Sequence, residues 1–217
     1  MIRIEVTLTF ETPPNIGSGA QVGTFAERAC IKGLDGWPYI PASAFKGRLR
    51  HAVEQVAAGM GQAVCTTHHS MCRKAESACP ACRIFGSPWL PGRLRFVDLE
   101  LSGPPELVEQ RRRGKRLHTS ARHSVALSRA RRVAEDGLLF ATELLVPGVP
   151  LEFSGTLEGP LDLQEAAWVI AGLRFLPALG RAKSSGLGWV KAEGVVYRDG
   201  ERVGEEALRA ALLEVHR

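Results

Sequence analysis

Ala42-Ser-Ala-Phe-Lys-Gly-Arg-Leu-Arg-His-Ala-Val-Glu-Gln-Val56 sets Phe45, Leu49, Val53 and Val56 at helical spacing, so one face of a helix is apolar and the remainder meets water. Pro38-Tyr-Ile-Pro41 leads into it, and Ser43 is the expected N-cap, since its hydroxyl can accept from an orphan amide of the first turn. Upstream, Ile2, Ile4, Val6, Leu8 and Phe10 alternate along residues 2–10, the period of a half-buried strand. Thr12-Pro-Pro-Asn-Ile-Gly-Ser-Gly19, which follows, is dense in turn residues. Downstream, Arg93–Leu101 reads as a second strand, and Leu138–Val146 and Pro150–Leu157 as strands on either side of a Pro147-Gly148 turn. Leu163–Leu176 reads as a helix facing Ala166, Ala167, Ile170 and Leu173 inward, Gly188–Arg198 as a strand, and Glu205–His216 as a short amphipathic helix. Strand, helix, strand, strand, helix, strand is the rhythm of a ferredoxin-like (RRM-like) β-α-β-β-α-β unit. The expected fold is therefore α+β, one domain over residues 1–217, with insertions at about 60–92 and 104–137.

Composition excludes several classes. With 45% hydrophobic and 24% charged residues the chain is an ordinary globular sequence. No apolar run approaches the roughly 18 residues that span a bilayer, so no membrane partner is expected. An odd count of five cysteines and no secretory segment at the N-terminus favour a reducing, cytoplasmic setting. The net charge of +5 is unevenly placed: nine Lys/Arg and no acid lie between Arg111 and Arg132, and without those nine the chain is at net −4. A basic block on a slightly acidic protein suggests an anionic partner, most commonly a phosphate backbone. Its poor periodicity reads as an exposed loop or hairpin.

Cys65-Thr-Thr-His-His-Ser-Met-Cys72 and Cys79-Pro-Ala-Cys82 gather four of the five cysteines and two of the six histidines within eighteen residues. A tetrahedral zinc ion needs four thiolate or imidazole ligands, and a C-x-x-C turn supplies two. Cys65, Cys72, Cys79 and Cys82 can form an all-thiolate site, or His68 or His69 can replace one cysteine. A closed site of this kind is structural zinc, not a reaction centre. A redox pair at Cys79 and Cys82 is the rival reading, but the βαβ context of a thioredoxin-like site is missing.

Leu179-Gly-Arg-Ala-Lys-Ser-Ser-Gly-Leu-Gly-Trp189 joins the second long helix to a strand. Gly180, Gly186 and Gly188 let backbone amides approach a phosphate, with Arg181 and Lys183 supplying charge. The spacing fits neither a P-loop nor a dinucleotide fingerprint. On the first helix, Lys46, Arg48 and Arg50 place three cations in five residues, of which only Lys46 and Arg50 share a face.

Taken in order, these motifs resemble the RAMP superfamily of CRISPR-associated proteins, and most of all the backbone subunit of type III effector complexes. Asn15-Ile-Gly-Ser-Gly19 is similar to the family's early glycine loop, and Tyr39-Ile-Pro-Ala-Ser-Ala-Phe-Lys-Gly-Arg-Leu-Arg50 to its helix-opening motif, with Ala42 in place of a glycine. Cys79–Gly86 resembles its zinc knuckle, Val125–Arg129 with Leu138–Gly148 its basic thumb, and Leu179–Trp189 its glycine-rich loop. In the thumb, Ser128 replaces an acid that often precedes the arginine. The resemblance implies binding of guide RNA along its phosphate backbone, pairing with target RNA, contact with other effector subunits, self-association along the guide, and a role in antiviral defence. It implies phosphate contacts from Lys46, Arg48, Arg50, Gly180, Arg181, Lys183, Ser184, Ser185 and Gly186, and thumb contacts from Arg129, Arg131 and Arg132. Metal ligation falls to Cys65, Cys72, Cys79 and Cys82 with His69.

Target-cleaving members of the family place an aspartate before the Tyr-Ile-Pro motif and cut RNA with a divalent ion, Mg or Mn. Glu27 stands at that place, one methylene longer, and Asp35 is the other acid nearby. The sequence therefore leaves open whether this chain is an endoribonuclease. Two other readings stand beside the backbone subunit. One is a processing endonuclease of precursor guide RNA with His51, His118 or His123 as general base. The other is a zinc-stabilised nucleic-acid- or protein-binding module outside CRISPR.

Overall fold

In the computed structural model, the described residues are 1–17, 28–65, 67, 70–146 and 148–214. Strand β1 (Ile2–Phe10) is the centre of the molecule. It pairs antiparallel along its whole length with β7 (Leu151–Gly159) on one side and β8 (Val190–Arg198) on the other. Beyond β7 lie β4 (Leu99–Gly103), the two-residue β3 (Arg95–Phe96) and, at the edge, β2 (Tyr39–Ile40); beyond β8 lies β9 (Glu201–Arg202). The alternating apolar residues of β1 all point to one face, where Ile4 and Leu8 are fully buried.

Helices α1 (Ala42–Gly59) and α4 (Leu163–Arg174) cover that face. They approach closely at Gly172, where a Cβ would meet Val53 Cγ2 at 2.5 Å. Phe45, Leu49, Ala52, Val53 and Ala57 form the buried stripe of α1, as the 3.6-residue period requires. The expected N-cap is corrected. Pro41, not Ser43, holds that position, with no side-chain cap of its own, and the Ala42 amide donates to Asp98 Oδ1 at 2.7 Å. Asp98 lies between β3 and β4, inside what the sequence suggests is one continuous strand. At α4, Asp162 and Glu165 make a reciprocal capping box.

The basic block runs from the end of helix α3 (Pro105–Arg112) through β5 (Thr119–Ser128) to the turn before β6 (Val133–Leu145), with which β5 forms a long two-stranded ribbon. The two runs flanking residue 147 therefore lie in different sheets: β6 pairs with β5, and β7 with β1 and β4. A two-stranded ribbon exposes both faces over most of its length, so it does not require the apolar alternation that reveals a sheet strand. Helix α2 (Pro80–Phe85) is capped by Cys79 and contains Cys82, and α5 (Glu205–Leu213) packs on α4. Along the outer side of β8, the Val190 amide donates to Pro177 O (3.0 Å) and the Val203 amide to Val196 O (2.8 Å). The outward backbone groups of Ala192 and Gly194, between those two bonds, have no partner among the described residues. No helix is long and apolar enough to cross a membrane among the described residues.

Candidate metal centre and nucleic-acid interface

Pro80 opens α2 and Cys79 caps it, so the C-x-x-C turn presents Cys79 and Cys82 side by side, the Cys79 sulfur accepting from the Cys82 amide. Cys65 and Cys72 approach from the preceding stretch, and the four Sγ atoms lie within 4.8 Å of one another. Cys65 Sγ is 3.5, 3.9 and 3.8 Å from those of Cys72, Cys79 and Cys82. A tetrahedron with metal–sulfur bonds of about 2.3 Å has edges of about 3.8 Å, so four free thiols at this spacing fit a zinc ion. Soft sulfur donors do not suit Mg or Mn. Burial, then the neighbouring sulfurs, push the Cys65 thiol up, a cost that a bound cation relieves. His68 and His69 lie outside the described residues.

Across α1 from this cluster, Leu179–Trp189 folds over residues 13–17. The Arg181 amide donates to Asn15 O (2.9 Å) and the Gly188 amide to Pro13 O (3.2 Å). Two glycines are sterically required: a Cβ on Gly180 would meet Asn15 O at 2.5 Å, and one on Gly188 would meet Leu179 O at 2.1 Å, both at positive φ. Ala182 takes φ 54° and begins a single 3-10 turn, Lys183–Ser185, with Ser184, Ser185 and Gly186 exposed. Lys183 Nζ donates to Gly180 O at 3.2 Å. Burial and then the neighbouring Arg48 charge hold its pKa below the usual lysine value. Arg48 Nη2 reaches Ala178 O at 3.5 Å, while its buried Nε has no hydrogen-bond partner among the described residues. Two cations side by side, one carrying an unpaired buried donor, favour an anion.

The ribbon extends this positive strip. Arg122 Nη1 donates to Ser185 O at 3.4 Å, and the Arg28 guanidinium lies 3.8 Å over the Phe140 ring. Arg28, Arg122, Ser124, Phe140, Thr142 and Ser185 help line a cavity of about 260 Å³ with no acid in its wall among the described residues. A buried clamp fixes its base. Glu143 accepts from the Cys30 amide (2.8 Å) and Lys32 Nζ (2.5 Å), and Asn15 Nδ2 donates to Arg28 O and Glu143 O. Arg28, Phe140 and Glu143 escaped sequence reasoning, although a lone carboxylate inside the apolar run Leu138–Val146 is a signal of such a buried role. Arg129 and Arg132 are exposed in the turn at the ribbon's tip, where Arg132 has φ 55°, and Arg131 pairs with Glu135.

The remaining candidates are scattered. Lys46 Nζ lies 5.8 Å from the Phe96 ring centre. Arg50 faces the cysteines, bonded to Glu54, Gly86 O and Cys82 Sγ. Arg111 is engaged by Asp35 and Glu100, and Arg113 by Glu109. Asp35 is held below the usual carboxylate range by the Trp37 amide and by Arg111. His51 stands 3.9 Å from Glu54, and no hydrogen bond joins it to His118 or His123 among the described residues. Glu27 lies outside the described residues. The sheet face away from the helices carries Arg3, Glu5, Thr7 and Thr9 of β1 beside Ser154, Thr156 and Glu158 of β7, not the aromatic row on which an RRM stacks bases.

An α+β protein with a four-cysteine cluster spaced to hold a metal ion and a cationic glycine loop is the class that these features define. The sequence profile of the RAMP superfamily matches residues 7–191, and the chain belongs to that superfamily of CRISPR-associated proteins. No curated protein matches it.

Proposed function

We propose that this protein is a guide-RNA-binding backbone subunit of a type III CRISPR ribonucleoprotein, acting in cytoplasmic antiviral defence. The observation that carries the reading is the juxtaposition of Arg48 and Lys183 beneath the glycine loop, an anion seat whose guanidinium Nε has no partner among the described residues. Guide phosphates run over Gly180–Gly186, touching Arg48, Arg181 and Lys183 with Lys46 at the flank. The ribbon carrying Arg129, Arg131 and Arg132 acts as the thumb against the paired target RNA. Base pairing reads the sequence, so the protein supplies charge and shape. The strand order β4-β7-β1-β8, with α1 and α4 on one face, supports a ferredoxin-like core within a single domain. The cysteine cluster acts as a structural zinc clip for the insertion at about 60–92. Neighbouring copies and other effector subunits complete the assembly.

Target cleavage is assigned to Glu27 with Mg or Mn. Native mass spectrometry of the assembly tests the subunit role: short RNA of uniform register bound with zinc and partner subunits is expected, and assemblies without RNA would overturn it. For cleavage, Glu27→Ala is expected to abolish cutting of a complementary target and His51→Ala to preserve it. Normal cutting by Glu27→Ala refutes the assignment.

A further inference from the structure

Four thiolates around a divalent ion leave two excess negative charges in a half-buried site, and such centres depend on hydrogen bonds to sulfur from their surroundings. Two are backbone contacts: the Cys79 amide donates to Cys72 Sγ (3.3 Å) and the Cys82 amide to Cys79 Sγ (3.5 Å). The third comes from Arg50, whose Nη2 lies 3.4 Å from Cys82 Sγ. Its other bonds fix that approach. Nε donates to Glu54 Oε1 one helical turn on (2.8 Å), and Nη1 to Gly86 O at the end of α2 (2.6 Å). The side chain is only 17% exposed, so little water competes. Among the described residues no other cationic side chain is hydrogen-bonded to a cluster sulfur.

We propose that Arg50 is a positioning residue of the metal centre: its guanidinium offsets the excess thiolate charge and ties the cluster to α1. Arg48, two residues earlier and therefore about 200° around the helix, faces the glycine loop instead. One helix thus carries the metal's charge partner on one side and the anion seat on the other.

The test measures zinc affinity by chelator competition and the sulfur-to-metal charge-transfer spectrum of the Co²⁺-substituted protein. Arg50→Gln is expected to weaken zinc about 10- to 100-fold, the usual range for outer-shell partners, and to shift the Co²⁺ band. Arg50→Lys should recover part of the affinity, and Arg48→Gln should leave affinity and spectrum unchanged. Zinc binding by Arg50→Gln within about twofold of the parent, with the same Co²⁺ spectrum, overturns the proposal. If Arg50→Gln does not fold, Glu54→Gln loosens the same guanidinium; it should weaken zinc and shift the band in the same direction, and no change in either refutes the proposal. A separate arm measures RNA binding at saturating zinc. Arg50→Gln should keep the parent's salt dependence, and a reduced dependence would make Arg50 a phosphate contact and overturn its assignment here. The zinc arm stands whether or not the RNA reading does.

Discussion

Replacing Arg48 and Lys183 by glutamine, singly and together, probes the anion seat through its salt dependence. Each phosphate neutralised on a single strand contributes about −0.7 to the slope of log K against log salt. Losing one contact should flatten the slope by about 0.7 and losing both by about 1.4. Between 1 M and 0.15 M salt this amounts to about a fourfold loss of affinity for each single variant and about 15-fold for the double. All four proteins should converge near 1 M salt, because the bonds lost are electrostatic. Lys191→Gln, on the sheet face away from the helices, serves as control and should change nothing. The assay is fluorescence anisotropy with single-stranded RNA over a KCl series, on proteins matched for melting temperature. An unchanged slope in the double variant refutes the seat. A loss that persists at 1 M salt shows that Arg48 and Lys183 act by holding the loop's shape.

Since burial and Arg48 lower the Lys183 pKa and a bound phosphate would raise it, RNA affinity should be flat near neutral pH. It should then fall as pH rises through the free protein's value, below that of an ordinary lysine; Lys183→Arg should abolish the fall, and an unchanged titration counts against the contact. Glu165 is fully buried, bonded to Arg93 Nη1 at 2.6 Å and closing the α4 capping box. With both arginine partners 38% exposed, Glu165→Ala should cost about 3 kcal/mol after discounting for solvent, or about 6–12 °C in Tm. A loss below about 1 kcal/mol in urea unfolding would contradict the burial argument. Burial and then Glu143 push the Cys30 thiol up to about 12. In protein treated with a chelator, iodoacetamide at neutral pH should therefore label Cys72, whose pKa is, against the effect of burial, lowered by the Cys79 amide and the neighbouring thiols, well before Cys30, as read by peptide mass spectrometry.

What was legible in the sequence was local. The C-x-x-C turn and the two cysteines upstream lie within eighteen residues, so their spacing speaks directly about a metal. The stripe of α1 and the alternation of β1 follow from helix and strand periods alone. What was hidden depended on distant partners. Asp98 takes over the capping that a serine promised from 56 residues away. Helical spacing separates Arg48 from Arg50, but α2 and the glycine loop decide which of them meets the cysteine cluster and which the loop. The basic block reads as an exposed loop or hairpin and forms one strand of a hairpin; its strand bounds stay hidden because pairing β5 with β6 needs no buried face. Arg28 over Phe140 joins residues 112 positions apart, and no local pattern announces such a contact.

The outer edge of β8 sets a rule for crowding. Pro177 and Val203 bracket it like bookends, leaving room opposite Lys191–Val195 for about five residues of extended chain at 3.3 Å each. A full-length strand from a neighbour would collide with both. Copies packed at high local density therefore cannot fuse their sheets on this side into a continuous ribbon, the usual route from a bare edge to amyloid-like precipitation. If copies gather along one guide RNA as proposed, they meet on this side through side-chain surfaces that separate again.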